Sequence, residues 1–113
     1  MCGIYASLTK RPLSKKVVDE IHSTQIHRGP DGFGETFIET NMAMHVSLLH
    51  QRLSIIDENG GSQPFNSNCM NYTIVFNGEI FNHRLLRIEM EKNGIIFNSN
   101  HSDTEVVLNG LSF

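Results

Sequence analysis

An α+β fold built as one domain is what the sequence predicts, on three observations. Tyr72-Thr73-Ile74-Val75-Phe76 is an unbroken β-branched and aromatic run, the composition of a buried strand. Gly34–Glu39 and Ala43–Gln51 are two more extended segments, joined by the short polar link Thr40-Asn41 as in a hairpin. Between such runs lie helix-start signals at Ser14, Asn82 and Ser102. At 113 residues there is room for one core and no more.

In chain order, Ile4–Leu8 reads as a first strand, closed by the turn-prone Thr9-Lys10-Arg11-Pro12. Ser14 caps a helix running to about Ile26, with Val17, Val18 and Ile21 on one face. His27-Arg28-Gly29-Pro30-Asp31-Gly32 stops it, because two glycines and a proline cannot continue a helix. After the hairpin, Arg52–Asp57 is apolar without a long period and runs into a loop from Glu58 to Phe65. Asn82 caps a second helix carrying Leu85, Leu86 and Met90, which ends at Asn93-Gly94 in left-handed fashion. Ile95-Ile96-Phe97 adds a short strand. Ser102-Asp103-Thr104-Glu105 has the spacing of a capping box and opens a third helix through Val106, Val107 and Leu108. The end at Leu111-Ser112-Phe113 is apolar and reads as the cut edge of something longer.

Composition excludes several functions. A net charge of −3 with no basic run argues against nucleic-acid binding. No apolar stretch approaches a membrane span, and the N-terminus lacks the layout of a secretory signal. With Cys2 and Cys69 unsuited to a disulfide framework, a reduced cytoplasmic chain is expected. The six histidines show no zinc spacing with an acidic partner, so no metal site is expected and a metal-binding module ranks last. Cys69, in a polar run with no base nearby, reads as incidental.

Chemistry enters at Met1-Cys2-Gly3-Ile4. Trimming of Met1 before a small residue would leave Cys2 with both a thiol and a free α-amine. Their ordinary pKa values, about 8.5 and about 7.7–8.0, let the amine take the thiol proton near neutral pH. On four letters the plainer reading is an inconsequential chain start. The order of the later motifs changes that. Cys2-Gly3-Ile4 is followed by His27-Arg28-Gly29-Pro30-Asp31, His50–Asp57, Gln63-Pro64, Phe76-Asn77-Gly78-Glu79-Ile80-Phe81-Asn82 and Ser102-Asp103-Thr104-Glu105.

This string, from Cys2 to Leu108, resembles the class II, N-terminal-nucleophile glutamine amidotransferases, and most of all the glutaminase part of glutamine-hydrolysing asparagine synthetases. The resemblance implies an N-terminal-nucleophile hydrolase αββα sandwich, incomplete here, with residues 1–113 as its N-terminal portion. It implies hydrolysis of L-glutamine to glutamate and ammonia, the ammonia serving an amidation in a synthetase domain absent from this chain. ATP and magnesium are expected only in that domain, and no cofactor in this one. By the same resemblance Cys2 attacks the glutamine side-chain amide while its own α-amine carries the proton. Asn77 and Gly78 supply the oxyanion donors, through a side-chain and a backbone N–H. Arg52 grips the substrate α-carboxylate, since a guanidinium matches it bidentately. Asp103 takes the α-ammonium, with Glu79 a weaker candidate. The backbone of Leu53, Ile55 and Ile56 lines the pocket. His27 to Asp31 shape the loop by the nucleophile, and Ser102 and Glu105 serve as caps. With Met1 attached the amine of Cys2 is tied up in a peptide bond, and little turnover is expected. The alternative is a non-catalytic fragment or regulatory module that only binds glutamine.

Overall fold

The computed structural model describes residues 1–54, 62–100 and 102–111. In chain order they form β1 (Gly3–Thr9), α1 (Lys15–Gln25), β2 (Gly32–Glu39), β3 (His45–Arg52), β4 (Phe65–Asn66), β5 (Thr73–Ile74), α2 (His83–Lys92) and α3 (Asp103–Leu111). This is the α+β mixture expected. No helix among the described residues is long and apolar enough to cross a membrane.

The main sheet has three antiparallel strands in the order β1-β3-β2. Its register sets Gly3 opposite Gln51 and Gly32 opposite Arg52, so one end of the sheet gathers the N-terminus and the end of β3. β3 is covered along both edges, and it holds Ser47, Leu49, His50 and Gln51 buried. Strand alternation then divides the sheet. One face lies under α1, where Gln25 presses on Gly3 and the His22 ring meets that of Phe33. The other carries Ile4, Leu8 and Ile38, which stay 44, 61 and 40% exposed.

The predicted hairpin forms with a longer connection. Thr40 N–H donates to Met44 O at 2.8 Å, and the Thr40 hydroxyl accepts from Met42 and Met44 N–H. Ala43 takes φ 54° to close the turn. Ser14 caps α1 as expected, its side chain accepting from Val17 N–H. The buried stripe of α1, however, runs through Val18 at 3% exposure, while Val17 stays 38% exposed.

Four expectations need correction. Tyr72–Phe76 pairs only over Thr73-Ile74, against the two residues of β4, and Tyr72 is 48% exposed. The Phe76 N–H goes to the Gln63 side chain at 2.6 Å rather than to a neighbouring strand. Asn82 makes no side-chain cap, because its backbone is not extended (φ −96°, ψ 18°). Ile95–Phe97 is not a strand: Gly94 at φ +88° sends its own N–H to Glu91 O, and Ile95 N–H reaches back to Met90 O, the paired bonds of a Schellman ending. Finally, the capping box closes on one side only. Glu105 N–H donates to Ser102 Oγ, but the buried Glu105 carboxylate takes Asn98 N–H, Ser99 N–H and the Ser99 hydroxyl. It braces the approach to α3 instead of capping the helix. Val106 and Leu108 of α3 are buried as expected.

Candidate active site

The sulfur of Cys2 sits where β1 begins, beside the end of β3. Leu53 N–H points at Cys2 Sγ from 3.4 Å, and Leu53 O lies 3.8 Å from it. A thiol there can donate to the carbonyl, and a thiolate can accept from the amide. Arg28 Nε–H donates to the Cys2 carbonyl at 3.1 Å, which holds the nucleophile's own backbone. Cys2 is half-buried, within reach of a small solute.

The loop from His27 to Asp31 is keyed to the chain around Arg52. Asp31 N–H donates to Arg52 O at 3.1 Å, and Asp31 Oδ2 accepts from Ser54 N–H at 2.6 Å. Gly29 is pressed so close that a Cβ would stand 2.5 Å from the Arg52 carbonyl carbon and 2.6 Å from that of Gln51. Only glycine permits that approach of two backbones. Two motifs whose Gly29 and Gln51 stand 22 positions apart therefore meet, tied further by Gln51 Nε2–H donating to Gly29 O at 2.8 Å. Arg52 itself is half-buried.

A second cluster forms around α3. Asp103 Oδ2 accepts from Ile80 N–H at 3.1 Å, which pins the loop carrying Asn77, Gly78 and Glu79. All three of those residues are exposed. Gly78 packs against the Phe76 ring, where a Cβ would approach to 2.7 Å. Gln63 bridges the cluster, accepting from Phe76 N–H and donating from Nε2 to the Thr104 hydroxyl at 3.3 Å. Its carbonyl also lies over Gly34 of β2, where a Cβ would be 1.9 Å away. Gln63 thus connects the second cluster to the sheet that carries the first.

Among the predicted residues, then, Cys2, Leu53 and the flank of Arg52 come together directly. Asp103 joins the Asn77–Glu79 loop through Ile80. Ile55 and Ile56 lie outside the described residues. Among those described, no group of three or more His, Cys, Asp or Glu side chains could hold a metal ion. A hollow bounded by Pro12, Phe37, Ile38 and His45 lies at the far end of the hairpin from Cys2 and contains no predicted residue.

The structure also brings in residues the sequence reading passed over. His50 is 1% exposed, and burial, aided by the Arg52 charge, pushes its imidazole down to about 4. It is neutral at pH 7. Gln51, 4% exposed, points to the α1 side and meets His22 Nδ1 at 3.1 Å. The available signal was alternation: in a strand where Arg52 points one way, Gln51 must point the other. Cys69 is exposed, and the Ser67 hydroxyl 3.3 Å from its sulfur draws its pKa down.

Residues 1–112 match the glutamine amidotransferase domain family. The chain is 40% identical over 113 residues to asparagine synthetase [glutamine-hydrolyzing] 1 of Bacillus subtilis, covering 96% of this chain and 17% of that protein. Asparagine synthetase B [glutamine-hydrolyzing] of Escherichia coli is 37% identical over 112 residues, with 96 and 19% covered. Amidase chry2 of Gibberella zeae is 35% identical over 131 residues, with 100 and 19% covered. The chain spans less than a fifth of the length of these relatives. It belongs to the glutamine amidotransferase domain family.

Proposed function

We propose that this glutamine amidotransferase chain hydrolyses L-glutamine through Cys2 and supplies the ammonia to an asparagine-synthetase-type amidation. The observation that carries the reading is the convergence of three sequence blocks around Cys2 and Arg52. Cys2 lies against the Leu53 backbone, Arg28 holds its carbonyl, and the 27–31 loop is locked onto Arg52.

The chemistry needs Met1 removed. The freed α-amine takes the Cys2 thiol proton, and the thiolate attacks the glutamine side-chain carbonyl. The oxyanion that forms is met by the Asn77 side-chain N–H and the Gly78 backbone N–H. Both residues are exposed, which leaves that loop open to substrate. The α-ammonium returns its proton to the departing nitrogen, ammonia leaves, and a thioester remains. Water, deprotonated by the same amine, cleaves it to glutamate and restores the thiol. Arg52 holds the substrate α-carboxylate and Asp103 its α-ammonium, with Glu79 near the same loop. The backbone of Leu53, Ile55 and Ile56 lines the pocket.

In this reading residues 1–113 are the N-terminal portion of an N-terminal-nucleophile αββα sandwich. The antiparallel main sheet with α1 on one face supports it, as does the smaller second sheet. The synthetase domain belongs to the rest of the full-length protein or to a partner, and ATP and magnesium act there. This chain works without a cofactor, in the cytoplasm, with both its cysteines as free thiols.

The test uses the protein at full natural length, with Met1 removed. A glutamine-mimicking electrophile should label Cys2, located by mass spectrometry. Cys2→Ala should lower glutaminase turnover by on the order of 10⁴-fold or more, the scale at which nucleophile removal acts elsewhere. Labelling at another residue, or turnover surviving in Cys2→Ala, refutes the reading. Heat of glutamine binding without glutamate release would replace it with the binding-module alternative.

A further inference from the structure

We infer that the side-chain amide of Gln51 is a positioning residue for the Cys2 nucleophile, acting through the 27–31 loop and anchored on α1 by His22. The inference rests on the glutaminase reading and adds to it a residue outside the pocket.

The geometry has one consistent assignment. The Gly29 carbonyl can only accept, so the Gln51 nitrogen faces it at 2.8 Å and the Gln51 oxygen faces His22 Nδ1 at 3.1 Å. His22 Nδ1 therefore carries its hydrogen, and its Nε2 lies 3.6 Å from the Glu35 carboxylate of β2. The Phe33 ring, 4.4 Å from the imidazole, holds it on that side. One buried amide thus links helix α1, the end of β3 and the loop. The residue after Gly29's carbonyl tie is Pro30, and the residue before Gly29 is Arg28, whose Nε–H holds the Cys2 carbonyl at 3.1 Å.

The chain of contacts is continuous: His22 to Gln51, Gln51 to Gly29, Arg28 to Cys2. Asp31 ties the far end of the loop to Arg52 and Ser54, and the Gly29 carbonyl is the group by which the end next to Arg28 is gripped. Replacing that amide by an apolar side chain leaves a buried carbonyl without its donor and that end of the loop free to shift. Because the shift reaches Cys2 through Arg28, the expected damage is to the chemical step. The Arg52 carbonyl keeps its bond from Asp31 N–H, and Asp103 keeps its own from Ile80 N–H.

In the full-length protein with Met1 removed, Gln51→Met should lower kcat for glutamine hydrolysis by about tenfold or more, with KM within about twofold, as displaced nucleophiles do. Gln51→Glu keeps the shape and the acceptor for His22 but cannot donate to Gly29 O, and it should lose as much. His22→Phe, which keeps the ring and frees one end of Gln51, should lose less. Combined with Arg28→Lys, Gln51→Met should add little further loss, since both act on one line of contacts. Amide hydrogen exchange at Arg28 and Gly29 should quicken in Gln51→Met. The inference is overturned if kcat stays within about twofold of the parent while thermal stability falls, if the Arg28→Lys and Gln51→Met losses multiply, or if exchange at Arg28 and Gly29 is unchanged. A parent protein that releases no glutamate overturns the glutaminase reading and the catalytic side of this one. The exchange measurement then decides the Gln51 tie by itself.

Discussion

Around Cys2 several contacts lock two stretches of chain together at close range, whereas Asp103 reaches by its side chain to an exposed loop. At the first region Gly29 touches the carbonyls of Gln51 and Arg52, and Asp31 makes two bonds to the segment from Arg52 to Ser54. At the second, Asp103 meets one N–H of a loop whose Asn77, Gly78 and Glu79 stay in solvent. The difference suits the two tasks. In the glutaminase reading the nucleophile is held before substrate arrives, and the exposed donor loop is the part that bound substrate brings into its working geometry, as catalytic hydrogen bonds often tighten only in the substrate complex. Substitution in the first region should therefore cost stability and activity together. In the second it should cost activity alone.

Asn77→Ala is the sharpest probe of that contrast. It should lower kcat by about 10²–10³-fold, the usual loss for one oxyanion donor, and leave the melting temperature close to the parent's because Asn77 is exposed. A kcat within threefold of the parent would remove Asn77 from the oxyanion role.

At the sheet end, His50 should make stability depend on pH. Its folded-state pKa, about 4, lies below the ordinary 6.5, so between those values the unfolded chain binds the extra proton. The contribution is complete above pH 6.5 and is lost as pH falls toward 4. Its size is on the order of 3 kcal/mol. Denaturant titrations across that window should show the slope, and His50→Leu should flatten it. An unchanged slope would assign it to other groups.

Gly29→Ala comes next, at about 1–3 kcal/mol of destabilisation, because the new methyl meets unyielding backbone at 2.5 Å. Chemical denaturation reads it, and a neutral result would mean the two backbones can part. The smallest effects compare two helix starts. Ser14→Ala should cost about 1 kcal/mol. Asn82→Ala should cost only a few tenths, since Asn82 makes no side-chain cap. Equal losses would contradict the difference between the two caps.

Local rules located most of the elements. Ser14 and Gly94 mark helix ends by their own backbone preferences, and the strands of the main sheet follow the runs that predicted them. Where prediction failed, either the local backbone took another course, as at Asn82 and at Gly94-Ile95, or a partner elsewhere in the chain had taken the group that a local rule assigned. The Phe76 N–H went to Gln63, and the Glu105 carboxylate went to Asn98 and Ser99. Of the candidate site, the residue types and their order were legible, and so was the family they suggested.

The amino-acid sequence alone determined which groups are available: a cysteine at position 2, a guanidinium at 52, an amide-glycine pair at 77 and 78, a carboxylate at 103. Tertiary structure decided what each one faces. Whether Gln51 looks to solvent or to His22 depends on α1 lying across that face of β3, and whether Gly29 must be glycine depends on a strand 22 residues away in the chain. Such facts follow from packing between distant segments, which spacing along a chain does not encode.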